Sequence, residues 1–231
     1  MKKIIVILFS ITLLFFSISY TSAHVKHYNN LKSLEYELFL NDKLIGSHIF
    51  FFNLKGDSLE VKSEGNFKVN KMGIQLMNYH TKSSAVYING KLNTFESETL
   101  QNDKKKYVKL KLNESNFFEI NGSSFKGEIN IRNSIIGSWW NHEIVNKKKQ
   151  ISIISGSVID QNVKFLGKEK ILIKNKEFNA LHFHFLSNDD KPLNKKKINM
   201  HVWYDSDTLL WIKSSYDKLG KWEYRLKKAK F

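Results

Sequence analysis

The residues best equipped for chemistry in this sequence are three histidines. His182 and His184 stand two apart in Leu181-His182-Phe183-His184-Phe185, so an extended strand would place both imidazoles on one face and the three apolar side chains on the other. His201 follows a polar stretch, and an antiparallel return strand would bring it alongside. Three imidazoles are the ligand number of an open zinc site, which would make a metal-dependent hydrolase the alternative function. The same spacing also describes a solvated strand face, and no carboxylate that would orient the rings is identifiable in the sequence. That plainer reading is preferred, no catalytic residue is assigned, and no cofactor is implied.

Aromatic residues offer a second kind of site. Trp139, Trp140 and Asn141 are consecutive, and adjacent indoles beside an amide suit the mouth of a ligand pocket. Trp203 and Tyr204 are added to that candidate binding set, although large aromatics more often fill a core or cap a barrel. Asp205 and Asp207 form a carboxylate pair, but their place between two apolar runs is better explained by turn chemistry than by acid/base catalysis. Neither Gly-x-Ser-x-Gly nor a glycine-rich loop ending in lysine occurs.

The elements that must carry these residues read as strands. Leu34, Tyr36, Leu38 and Leu40 alternate with Glu35, Glu37 and Phe39, while Val108, Leu110 and Leu112 alternate with Lys109 and Lys111. Trp222, Tyr224 and Leu226 repeat the pattern near the end of the chain. Asn41-Asp42, Gly56-Asp57, Asn89-Gly90, Asn102-Asp103 and Lys218-Leu219-Gly220 supply turn chemistry between such runs, Asn89-Gly90 being the preferred pair for a two-residue primed turn. The stretch from Asn133 to Val145 is the best helical candidate, but Gly137 interrupts it, and a short helix or ordered loop is expected. Pro192 sits in the polar stretch from Asn188 to Lys197, a loop between strands. The expected fold is all-β: an antiparallel meander forming a barrel or a strongly curved sheet, with at most one short helix.

Lys2 and Lys3, the apolar stretch from Ile4 to Tyr20 and the small residues Thr21-Ser22-Ala23 have the three-part form of an export signal. Residues 1–23 are therefore expected to be removed near Ala23, leaving residues 24–231 as a single domain in the periplasm or outside the cell. The chain contains no cysteine, which excludes disulfides, thiolate metal sites and a cysteine nucleophile. Its formal charge is +15, yet of 37 basic residues only Arg132 and Arg225 are arginine. Nucleic acid is not an expected partner, since base and phosphate recognition leans on the arginine fork. The clusters Lys147-Lys148-Lys149 and Lys195-Lys196-Lys197 are solvated loop ends that would suit an anionic membrane surface. An apolar or amphipathic small molecule is the other candidate partner, and no protein partner is identifiable.

Several short segments carry a family resemblance through their order along the chain. They are the run from Tyr36 to His48, containing Leu44-Ile45-Gly46-Ser47-His48; Ser138-Trp139-Trp140-Asn141; Val202-Trp203-Tyr204-Asp205; and Gly220-Lys221-Trp222-Glu223-Tyr224-Arg225-Leu226. In these the sequence resembles the uncharacterised bacterial exported proteins grouped as DUF6134, a resemblance that implies an exported β-rich domain and assigns no reaction. The closing segments are more distantly similar to periplasmic half-open barrels that include lipoprotein carriers, which implies a cavity for an apolar or lipid-like ligand. An envelope-assembly factor is the third function class, for which an exposed sheet edge would speak.

Overall fold

The computed structural model describes residues 28, 30–72 and 74–231. The leader expected over residues 1–23 and its cleavage point at Ala23 lie outside the described residues. The strands are β1 (Ser33–Leu40), β2 (Lys43–Lys55), β3 (Ser58–Lys71), β4 (Ile74–Ile88), β5 (Lys91–Gln101), β6 (Lys104–Leu112), β7 (Phe117–Gly122), β8 (Lys126–Asn130), β9 (Ser134–Ile136), β10 (Lys149–Ile151), β11 (Val158–Ile173), β12 (Lys176–Ser187), β13 (Asn199–Asp205), β14 (Trp211–Asp217) and β15 (Lys221–Lys230). All belong to one sheet, ordered β8 down to β1 and then β15 down to β9. Every pairing is antiparallel except the short parallel contact of β9 with β10.

The fold is thus an all-β, nearly closed barrel. Its two edge strands, β8 and β9, are joined by the single 3-10 turn Ile131–Asn133, so the chain itself draws the open seam together. Among the described residues the helical elements are short 3-10 turns. One of them, His142–Asn146, falls in the stretch where a short helix or ordered loop is expected.

Alternation decides what faces inward. Leu34, Tyr36 and Leu38 on β1 and Val108 and Leu110 on β6 are buried, while the lysines and glutamates between them face outward. The turns follow from residues that tolerate the left-handed region. Asn89 and Gly90 have φ of 50° and 78°, the primed-turn geometry that matches strand twist. Lys174 and Asn175, with φ of 48° and 65°, make the same kind of turn between β11 and β12. That turn gives a weak sequence signal, because lysine seldom occupies such a position.

Two rims result. The near rim carries Tyr28, residues 30–32, the turns at 56–57 and 89–90 and the carboxyl terminus; the far rim carries the turns at 41–42, around Met72, at 102–103 and at 218–220. The near half is packed with large apolar side chains. Trp140 meets the rings of Tyr28, Phe52 and Tyr87 edge-on at 5.6, 5.2 and 5.6 Å, and Trp211 stacks on Tyr36 at 4.1 Å.

The far half is built differently. On β3, β4 and β5 the inward positions become Ser63, Gly65, Thr81, Ser83, Ser97 and Thr99. Their hydroxyls pair across the sheet, Ser63 with Ser83 at 2.8 Å and Thr81 with Thr99 at 2.9 Å. The segment after β10 enters the space they leave, and the Ser97 hydroxyl donates to the Ile153 carbonyl at 2.5 Å.

Candidate functional site

Two places are candidate sites, one on each face of the sheet. The outer one lies on β11, β12 and β13. His184 and His201 are direct cross-strand partners, and their rings stack at 4.6 Å. His182 is one step further along, 2.8 Å from His201 through its Nε2 and the partner's Nδ1. Its other nitrogen, Nδ1, is 2.9 Å from a Glu169 carboxylate oxygen, which also accepts from the Trp203 indole. His184 Nε2 contacts the Asn199 side-chain oxygen at 2.8 Å.

The three histidines of the metal alternative therefore do share one face, but as a hydrogen-bonded chain from Glu169 through His182 to His201, not as lone pairs converging on a point. Among the described residues no group of three histidine or carboxylate side chains is arranged to hold a metal ion. Burial disfavours the charged form of both His182 and His201, and neighbouring imidazoles add to the effect, so both titrate below the ordinary histidine range. For His182 the carboxylate of Glu169 opposes the shift without cancelling it. What this arrangement can do is hold His182 in one tautomer and pass that preference to His201.

Glu169 is the carboxylate that sequence reasoning does not find. Its place opposite Ala180 depends on a register shift between Phe165 and Gly167, where Gly167 has a φ of 132°. A bulge of this kind moves every later residue on β11 by one face, and a single sequence carries no clear mark of it.

The aromatic set does not line one mouth. Trp140 is buried in the near half, and Asn141 caps the 3-10 turn by accepting from the Glu143 amide at 3.1 Å. Tyr204 is fully buried inside and donates to the Trp139 carbonyl at 3.0 Å, while Trp139 packs edge-on against Phe185. Trp203 belongs to the opposite face, stacked on His182 at 4.2 Å with the Lys213 ammonium over its ring. The turn aspartate Asp205 accepts from the Thr208 amide at 3.0 Å.

The inner place lies in the far half and was not singled out by residue spacing. His48 on β2 faces inward opposite Gly65, where a Cβ would come within 3.3 Å of the imidazole, so glycine makes the room the ring occupies. The ring stacks on Phe50 at 4.3 Å, and full burial pushes its pKa down to about 4. Tyr224 lies 6.2 Å from the His48 ring and 5.2 Å from that of Trp211, and its cross-strand partner is Ser214. His48 Nε2, Trp211 Nε1 and Ser214 Oγ are all buried with no hydrogen-bond partner. An aromatic collar lies above them: Phe67 stacks on Tyr79 at 4.6 Å, Tyr216 stacks on Trp222 at 5.7 Å, and Phe67 meets Trp222 edge-on at 5.5 Å. The Tyr79 hydroxyl reaches inward to Thr81 and Thr99.

Two open grooves lie away from both places. One, of about 480 Å³, runs over the outer face of β5 to β8 between Glu96, Lys109, Lys111 and Glu128; the other, of about 500 Å³, is at the near rim beside Lys32 and Phe231.

The architecture has a counterpart among solved structures. A β-barrel-like protein of domain of unknown function DUF1849 from Brucella abortus superposes with a TM-score of 0.60 at 9% identity, over 87% of this chain and 97% of that one. At that identity the likeness concerns the fold. No curated protein matches the sequence. Residues 36–227, from the inward Tyr36 of β1 to Lys227 of β15, match the domain of unknown function DUF6134, and the chain belongs to that family.

Proposed function

We propose that the protein is an exported binding protein of the cell envelope that takes an amphipathic, lipid-like ligand through the far rim of its barrel. One observation carries the reading: three buried polar atoms without partners, on His48, Trp211 and Ser214, surround a single ring, Tyr224, beneath an aromatic collar. An unsatisfied buried donor or acceptor costs about 1–3 kcal/mol, and three of them beside one ring are a standing cost to the empty fold. A ligand whose polar group meets the Trp211 indole N–H and the Ser214 hydroxyl recovers part of it, while its apolar portion lies against Phe67, Tyr79, Tyr216 and Trp222.

The reading separates ligand binding from stability. Ser214→Ala removes one orphaned hydroxyl, so the empty protein should become more stable by about 1 kcal/mol while losing affinity for its ligand. The test has two arms: organic-solvent extraction of protein recovered from its native host, followed by mass spectrometry, and titration with a fluorescent amphipathic probe such as N-phenyl-1-naphthylamine. A recovered amphipath and saturable probe binding that Ser214→Ala weakens are expected. Consistently empty protein that also fails to take up the probe would sink the proposal.

A further inference from the structure

The β3–β4 hairpin outruns its neighbours. On one side the pairing of β2 with β3 begins at Gly46 and Phe67; on the other, β4 with β5 ends at Tyr79 and Gln101, with Asn102 bonded to Asn78. Residues 68–72 and 74–77 therefore project past the far rim without a paired flanking strand. At about 3.3 Å per residue, the stretch from Asn78 to Ile74 alone adds roughly 13 Å. An isolated hairpin in water is normally tipped with polar residues, but this one carries Met72, Ile74 and Leu76, exposed to 91%, 65% and 53%.

The same rim presents a second apolar point. Leu219, in the turn between β14 and β15, is 99% exposed, and it lies beyond Trp222, whose ring touches Phe67. Around these two points the rim is basic: Lys43, Lys68, Lys104, Lys105 and Lys218 are all exposed at strand ends or turns facing that way. Among the described residues three acids share this rim, Asp42, which is already paired with Arg225, and the exposed Asp103 and Asp217, so the five lysines remain in excess. Apolar side chains at the apex with a cationic ring set back from it match a bilayer whose headgroups are anionic, the tips entering the acyl boundary while the lysines meet phosphates.

The geometry points to the far rim as a docking surface for an anionic lipid bilayer, with Met72, Ile74, Leu76 and Leu219 inserting and the rim lysines reading the surface charge. This goes beyond the ligand proposal and does not rest on it, since vesicle binding and ligand extraction fail separately.

The experiment is vesicle co-sedimentation of protein purified from an exporting host, its amino terminus verified by mass spectrometry. Phosphatidylcholine vesicles are compared with vesicles in which part of that lipid is replaced by phosphatidylglycerol. Binding should require the anionic lipid and weaken as salt rises. The double variant Met72→Asp/Ile74→Asp should lower partitioning at least tenfold, as should Lys68→Glu/Lys218→Glu. All these side chains are solvent-exposed, so thermal midpoints should not move; Ile74→Trp supplies a second readout, an emission blue shift on anionic vesicles. The inference is overturned if the aspartate variant binds as the unmodified protein does, if binding ignores lipid charge and salt, or if the same substitutions abolish a stable dimer in solution without affecting vesicles.

Discussion

His48 shows how one buried side chain sets a pH window for the whole protein. Its imidazole is enclosed by Phe50, Gly65 and Tyr224, and burial holds its pKa near 4 against an ordinary 6.5. As pH falls below about 6.5 the unfolded chain takes up a proton that the folded one refuses, so stability declines until the folded group also titrates near 4. A depression of that size corresponds to about 3 kcal/mol. Urea midpoints measured between about pH 7 and 4 should show this loss, and His48→Leu should flatten most of it, leaving a residual slope from His182 and His201. Glu223 acts in the opposite chemical sense. Its side chain is only 3% exposed, and burial alone would raise its pKa, but Arg225, Lys213 and Lys221 overcome this and hold it at about 2. Lys213 and Lys221 lie at 3.0 and 3.1 Å. Glu223→Gln should cost about 2 kcal/mol at neutral pH, less than a fully buried pair because Lys213 and Arg225 reach solvent. Chemical denaturation reads that loss, which should shrink as pH falls below the ordinary 4.5 and vanish only near 2, where the folded carboxylate also takes up its proton.

At the scale of elements, the far half depends on a segment that is not a strand. The residues after β10 lie across the inner side of β5 to β7, tied by the Ser97 hydroxyl to Ile153 and by the Ser124 amide to the Ser155 carbonyl at 2.9 Å. Gly122 permits the approach: a Cβ there would stand 2.5 Å from the Ser155 carbonyl oxygen and 2.9 Å from Gly156 Cα, both backbone atoms that cannot swing aside. Gly122→Ala should therefore lift the segment, destabilise the protein by about 1–3 kcal/mol and speed amide hydrogen exchange over residues 152–157, while β11 and β12 keep their protection. The strands themselves are legible in sequence wherever one face is apolar and the other charged, as in Leu34–Leu38 and Val108–Leu110. Legibility fails where both faces are mixed. On β11 apolar and polar residues face both ways, and its register is set by the irregularity at Gly167, so Glu169 is missed while its partner His182, and His201 beyond it, are found.

For the whole molecule the first strand and the last decide closure. β1 pairs with β15 from Ser33 opposite Lys230 to Leu40 opposite Trp222, joining the meander of β2 to β8 to the strands running back from β14. Deleting residues 221–231 should leave two sheets with exposed edges, and the truncated chain should lose its cooperative thermal transition by circular dichroism. The proposed export carries its own check: protein from the envelope fraction should have His24 as its first residue, and a mass retaining Met1 would contradict it. Residue order alone determined the alternation, the turn chemistry and the absence of cysteine, because a strand's period of two and a turn's need for asparagine or glycine are local matters written within a few residues. The packed near half, the orphaned polar atoms around Tyr224 and the projecting hairpin were decided only by tertiary structure. His48 is far from Trp211 and Ser214 in the chain, and whether a buried polar atom has a partner depends on strands brought together by register, which no local pattern specifies.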